Sequence, residues 1–404
     1  AFSKGRQRSV EEFLMANHQL SVLPTIISLV MTYVSALTIL GGVAEMYVHG
    51  VYFYCWFFVG LWSAIIVIER VILPWLFPLK LTSVFEYYER RFNSKAVQKF
   101  GTLIGVFNQV LYIGIVIYAP SIAMEAVTGL SVNISIPVLA IVASIYTALA
   151  RIKTNHRMKA VVWTDVFQGC LVTIGLISVL IRANVITGGI SRVLDICELG
   201  GRLRPASRSL DPTSQNTLWA LSIGFFFNWL YLLGTSQSSV QRYTAMKSFK
   251  TSRYVILGGL PAQTLVTSLA LLTGLSIYAF FHDVACDPLE SGEIQSPNQL
   301  FPYFVKIGFA DFYGFQGLIL ASIYSGALSS VSSSLSGCCA NLWRDIIEEN
   351  AKNVSEKTSA IINKALGNVT KNSLIPPMVE YLIIVLLTML SVPCSNFHVF
   401  FTFY

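Results

Sequence analysis

Long apolar stretches separated by shorter polar connections dominate the chain, and their lengths predict helices that cross a membrane. Eight stretches stand out: residues 21–47, 51–79, 102–130, 134–150, 160–182, 217–235, 254–281 and a serine-bearing stretch centred on 319–336. Most are about 20 to 30 residues long, enough for a helix to cross a hydrocarbon core and too long for barrel strands, which need about 10. Basic clusters follow each even-numbered stretch. Arg90, Arg91, Lys95 and Lys99 follow the second, and Arg151, Lys153, Arg157 and Lys159 the fourth. Arg242, Lys247, Lys250 and Arg253 follow the sixth, and Arg344 the eighth. The positive-inside tendency places these loops in the cytoplasm, together with the first segment and its Lys4, Arg6 and Arg8. Residues 184–216 and 282–300 then face outside.

Composition agrees with this pattern. Hydrophobic residues make up 54% and charged residues 12% of 404, against about 25% charged in soluble domains. The chain reads as all-α and polytopic. Its net charge of +7 reports orientation first, and nucleic acid is not indicated as a partner. The first 20 residues lack a signal-peptide pattern. Cys197 and Cys286 both fall in long outside connections, so one disulfide between them is compatible with an oxidising side.

Several polar residues sit where lipid penalises them. Residues 319–336 read ILASIYSGALSSVSSSLS, with Ser325, Ser329, Ser330, Ser332, Ser333 and Ser334 beside Gly326 and Ala327. Two readings fit: close packing of a neighbouring helix, or oxygens offered to a dehydrated cation. Gly41-Gly42 in the first stretch fits either a tight crossing or an opened backbone. Glu69 and Arg70 interrupt the second stretch near a basic loop and read as a structural pair. Asp165 and Gln168, one helical turn apart in WTDVFQG, fit either a cation path or an interfacial cap. Nothing suggests an enzyme: metalloprotease, hydrolase-elbow, Walker and dinucleotide motifs are absent, and His18, His49, His156, His282 and His398 are scattered. No selectivity filter or charged ring of a channel is evident.

The segments SALTILGGVAEMYVHG, LKLTSVFEYYERRFN, LYIGIVIYAPSIA, AVVWTDVFQG, SQSSVQRYTAMKS, CDPLESGEIQSPNQLFPYFV and SGALSSVSSSLSG together resemble the sodium:solute symporter family. Within it they are most similar to the branch of sodium-coupled monocarboxylate, sodium-dependent multivitamin and sodium/iodide transporters. The resemblance covers residues 3–367 in collinear order. It implies an inverted-repeat bundle of the LeuT type, five helices plus five, the first helix of each repeat broken at mid-membrane. It also implies a multi-pass protein of the plasma membrane that moves a small organic anion, a monocarboxylate or vitamin-like carboxylate, with sodium by alternating access. Sodium is the coupling ion, and no other cofactor is implied. The oligomeric state is left open.

The resemblance also assigns residues. The principal sodium site would take carbonyls of Met31, Val34 and Gly326 and hydroxyls of Ser329 and Ser330. A second sodium position would draw on Thr32, Asp165, Gln168 and Gln237. The substrate would lie among Tyr33, Thr38, Gly41, Gln109, Tyr112, Trp229 and Leu232. Where sugar-transporting relatives place a polar residue and an aromatic gate, this chain has Trp229 and Leu232, which argues against sugar; iodide is the other alternative. Relatives carry a helix before SKGRQRSVEEF and continue past Gly367. Here residues 1–367 form a membrane domain of eight spans, and residues 368–404 a divergent tail with one apolar segment. On this reading the bundle is incomplete at both ends, and the competing reading is a truncated, non-transporting sodium-binding isoform or fragment.

Overall fold

The computed structural model describes residues 20–152, 157–204, 207–211 and 217–347. The amino-terminal basic residues, Lys153 and the expected tail at 368–404 lie outside the described residues. All eight expected spans fall on helices. Among the described residues, six helices are long and apolar enough to cross a membrane singly, and one bent pair passes the test together.

That bent pair comprises α1 (Val22–Tyr33) and α2 (Ala36–Val48), inclined by 61°. Val34 (φ −83°, ψ 81°) and Ser35 (φ −93°, ψ 175°) leave the helical region between them. Serine favours this position because its hydroxyl competes with the helical backbone. A break at this depth is tolerated only where the freed backbone groups face protein, water or an ion.

After α3 (Tyr52–Val67) the second span continues through a π-turn, Ile68–Ile72. Glu69 is buried there; it pairs with Arg70 at 2.8 Å and with Arg253. The structural reading of this pair therefore holds, with Arg253 as an additional partner. The short helix α4 (Glu86–Phe92) leads to α5 (Lys95–Thr128), α6 (Val132–Ile152) and α7 (Arg157–Thr187).

The segment expected as an outside loop after α7 carries α8 (Ile190–Leu199), which buries Cys197. The Cys197 thiol points at the Leu275 carbonyl 3.6 Å away. Cys286 is exposed, and both cysteines are free. The expected disulfide is therefore absent: the amphipathic α8 turns Cys197 into the core and away from the surface loop that holds Cys286.

A second helix break follows. α9 (Leu218–Trp229) passes into a π-turn, Leu230–Thr235, and stops at Ser236 (φ −68°, ψ 145°) before α10 (Gln237–Thr244) resumes. The sixth span ends at Thr235, as the sequence reading expects; the segment from Ser236 onwards, which that reading took as a loop containing Arg242, is instead the packed helix α10. Ser238 to Thr244 are all buried. Polar side chains are sustained at this depth because they find partners: Tyr243 donates to the Gly234 carbonyl at 2.8 Å, Thr244 to Val240 at 2.6 Å, and Arg242 to several acceptors.

The remaining elements are α11 (Phe249–Asp283), α12 (Leu300–Gly308) and α13 (Phe315–Leu342), which ends in a π-turn, Trp343–Ile347. α11 lies along α1, α2 and α7; α13 lies along α5 and α7; α9 lies along α3. At Gly274 a Cβ would meet the Val43 carbonyl oxygen at 2.6 Å, so only glycine lets α11 approach α2 this closely. Such small-residue contacts drive helix association where lipid removes the hydrophobic incentive. Both helix breaks sit inside this frame.

Candidate functional site

The two breaks and the serines of α13 meet in the core. At Gly326 of α13 a Cβ would lie 3.3 Å from the Val34 carbonyl oxygen and 3.4 Å from the Ser35 carbonyl carbon. The Ser330 hydroxyl donates to the Thr32 carbonyl at 3.0 Å. Among the described residues, no hydrogen bond ends on the Met31 or Val34 carbonyls. Both oxygens remain available, and that of Val34 lies beside a helix that carries two buried hydroxyls, Ser329 and Ser330.

The direction of the hydroxyl protons matters. Ser329 donates to Asp165 Oδ1 at 2.7 Å, and Ser330 donates to Thr32. A hydroxyl has one proton and two lone pairs, so each serine oxygen keeps electron density for a third group. Among the described residues no cluster of three or more His, Cys, Asp or Glu side chains forms a metal cage. A set of carbonyl and hydroxyl oxygens suits a monovalent hard ion better than a divalent one.

Asp165 is fully buried, and its second oxygen, Oδ2, accepts from Ser28 at 2.5 Å and from Arg242 at 3.2 Å. The Arg242 guanidinium also donates to Ser28 at 2.8 Å, to the Ser238 carbonyl at 2.7 Å and to Ser333 at 2.6 Å. Thr32 joins through Ser28 and Ser333. This network ties α1, α7, α10 and α13 together and neutralises the buried carboxylate. The sequence reading named Arg242 only in a basic cluster, missed Ser28, and gave Ser333 only as one of the serine cluster. The last two carried a signal: each lies four residues from an expected ligand, hence on its helix face.

Of the four side chains expected at a second sodium position, the structure brings Thr32 and Asp165 into this network. Gln237 instead engages both amide ends with the α4 approach, donating to the Thr82 carbonyl at 2.7 Å and accepting from Val84 N at 2.8 Å. Gln168 is buried with its Oε1 unpartnered. It lines a 380 Å³ cavity with Trp163, Thr164, Phe167, Ser325 and Leu328.

The residues expected to line the substrate site gather at the breaks. Tyr33 reaches the Leu232 carbonyl and the Ser236 and Ser239 hydroxyls, each at 2.6 Å. Its ring meets Trp229 edge-on at 6.3 Å. The Trp229 Nε1 is buried with no partner, Thr38 donates to the Tyr33 carbonyl at 3.0 Å, and the position beside Gly41 is open. Tyr112 stands near Ser330 and Ser35, and Gln109 donates to Ser334 at 2.5 Å.

Another buried carboxylate, Asp345, closes the far end of α13. It accepts from Ser83 at 2.6 Å, Thr102 at 2.6 Å and Gln98 at 2.7 Å.

Two discontinuous helices facing a serine-bearing third define a multi-pass membrane protein of the inverted-repeat, LeuT-type class. A solved structure supports the fold: a Na+-coupled sialic acid symporter in a substrate-bound outward-open state superposes with a TM-score of 0.79 at 21% identity, covering 96% of this chain and 77% of that one. The chain belongs to the sodium:solute symporter family, whose model matches residues 13–380. It is 37% identical over 374 residues to human sodium-coupled monocarboxylate transporter 1, covering 91% of this chain and 58% of that protein. It is 35% identical over 365 residues to the human sodium/iodide cotransporter, covering 90% and 55%. The chain thus spans less than two thirds of the length of these relatives, which are transporters rather than enzymes.

Proposed function

We propose that this chain carries the sodium and substrate sites of a plasma-membrane symporter that moves a small organic anion, a monocarboxylate or vitamin-like carboxylate, with sodium by alternating access. The observation that carries the reading is the Val34 carbonyl beside Gly326, with the Ser330 hydroxyl on the neighbouring Thr32 carbonyl. In this proposal Met31, Val34, Gly326, Ser329 and Ser330 bind sodium. The ion then joins α1 to α13, elements of different repeats, and biases the conformation of both.

Asp165 acts from behind the site, holding the Ser329 hydroxyl with its lone pairs free. A second sodium at Thr32, Asp165, Gln168 and Gln237 would have to displace Arg242 and release Gln237 from the Thr82–Val84 backbone. The reading therefore centres on one principal ion.

For the anion, the N-terminus of α2 offers backbone amides that Ser35 leaves without a side-chain cap, a favourable place for a carboxylate. The unpartnered Trp229 indole N–H is a further donor, and the open position at Gly41 leaves room for an apolar body. Similarity to monocarboxylate transporters supports this class; similarity to the iodide cotransporter supports iodide as the alternative.

The test is uptake into proteoliposomes containing the full chain, with an inward sodium or potassium gradient and labelled propionate or iodide. Propionate uptake driven by sodium alone is expected. Equal uptake in both salts contradicts symport, and sodium-driven uptake of iodide without propionate replaces the substrate class.

A further inference from the structure

Tyr33 stands in one break and completes the other. In the chain it lies between Met31 and Val34, the latter with its carbonyl oxygen beside Gly326 of α13. Its hydroxyl crosses to the second helix break, where the π-turn leaves a carbonyl in need: Ser236 N bonds Tyr231 O at 3.0 Å rather than Leu232 O. The Leu232 carbonyl instead takes hydroxyls, from Tyr33 at 2.6 Å, Ser236 at 2.6 Å and Ser239 at 2.8 Å. A buried carbonyl left without partners is destabilising, which makes these contacts structurally demanding rather than incidental.

We infer that the Tyr33 hydroxyl is the positioning group that transmits sodium occupancy at the first break to the substrate-facing second break. The inference rests on the proposed sodium site. An ion that fixes the Met31 and Val34 peptides also fixes the Tyr33 backbone between them. The ring, wedged edge-on against Trp229, carries that constraint to Leu232, Ser236 and Ser239. Without the hydroxyl, each break keeps its own ligands but loses its mechanical link to the other. Tyr33 thus changes from an expected lining residue into the joint between two half-sites.

The experiment measures equilibrium binding of labelled propionate to the purified full chain, in potassium and in saturating sodium, alongside the sodium-induced rise in Tm. For the unsubstituted protein, sodium should raise propionate affinity by about 5- to 150-fold, the usual range of coupling between sites. In Tyr33→Phe that ratio should fall to within about twofold of one, while sodium still raises Tm. Ser236→Ala provides an independent variant should Tyr33→Phe fail to fold, and it should lower the ratio in the same direction. A wild-type ratio in both variants overturns the inference and leaves the symport reading intact. Loss of the sodium-induced Tm rise in both variants also overturns it, because the hydroxyls then serve the ion site or the fold itself. No sodium effect in the unsubstituted protein defeats the symport reading, and the inference with it.

Discussion

Ser329 and Asp165 form the hinge of the site: the serine hydroxyl donates to one carboxylate oxygen at 2.7 Å, while Arg242 and Ser28 occupy the other. The carboxylate therefore orients a neutral oxygen and is itself balanced by a cation. This relationship decides how charge is arranged around any bound sodium, because the ion enters a region whose fixed charges already sum to zero.

Breaking that pair from one side is expected to be severe. Asp165→Asn leaves the Arg242 guanidinium buried without its counter-charge, at a cost of about 3–5 kcal/mol. The double variant Asp165→Asn, Arg242→Gln should be less destabilised than the sum of the singles. Denaturation of the purified variants in detergent measures both effects, and strict additivity contradicts the coupling.

The three donors on Asp345 hold the approach to α4 against the ends of α5 and α13. Asp345→Ala strands the Ser83 hydroxyl proton and the Gln98 amide, each worth about 1–3 kcal/mol when left buried and unsatisfied, while Thr102 keeps the Gln98 carbonyl at 3.1 Å. The nearby Arg90 and Arg91 supply a readout: limited trypsin digestion should cut there faster in the variant. Unchanged cleavage rates would show that the carboxylate does not hold this segment.

Cys197 and Cys286 should differ in reactivity. Burial raises the Cys197 thiol from 9.0 to about 11, so at pH 8 its thiolate fraction is only about one in a thousand. Peptide mapping after brief maleimide treatment should find Cys286 labelled and Cys197 spared, with Cys197 labelling increasing as pH rises towards 11. The sign for stability follows: the folded state holds the proton more tightly than the unfolded chain, so this contribution is intact below pH 9 and fades as pH rises through about 11. A Cys197–Cys286 peptide that survives without reductant contradicts the structure.

The spans, the serine helix and the first break were legible because each has a local signature: apolar length, hydroxyl density, or glycine and serine inside a span. Arg242 was not. A basic residue past an apolar stretch usually marks the cytoplasmic flank, and nothing local distinguishes that case from a cation paired with a carboxylate 77 residues away. The same applies to Asp345, whose donors lie more than 240 residues back along the chain. The cysteine pair misled for the opposite reason, since loop membership says nothing about which way an amphipathic helix turns its thiol. Tyr33 was expected to line the substrate site; its contact with the Leu232 carbonyl depends on a π-turn, a departure invisible in hydrophobic spacing.

The central claim, that Ser329 and Ser330 bind sodium together with the carbonyls of the first break, is tested most directly by a sodium titration of thermal stability. Ser329→Ala, Ser330→Ala and Ser322→Ala are compared, the last because Ser322 donates only to the Ile319 carbonyl of its own helix, at 2.7 Å. Losing a ligand oxygen should cost about 1–3 kcal/mol of ion binding, or roughly 5- to 150-fold in the sodium midpoint. Ser329→Ala and Ser330→Ala should shift the midpoint by that factor and Ser322→Ala should leave it in place. Equal sodium midpoints in all three variants would contradict the assignment and return the serines to helix packing.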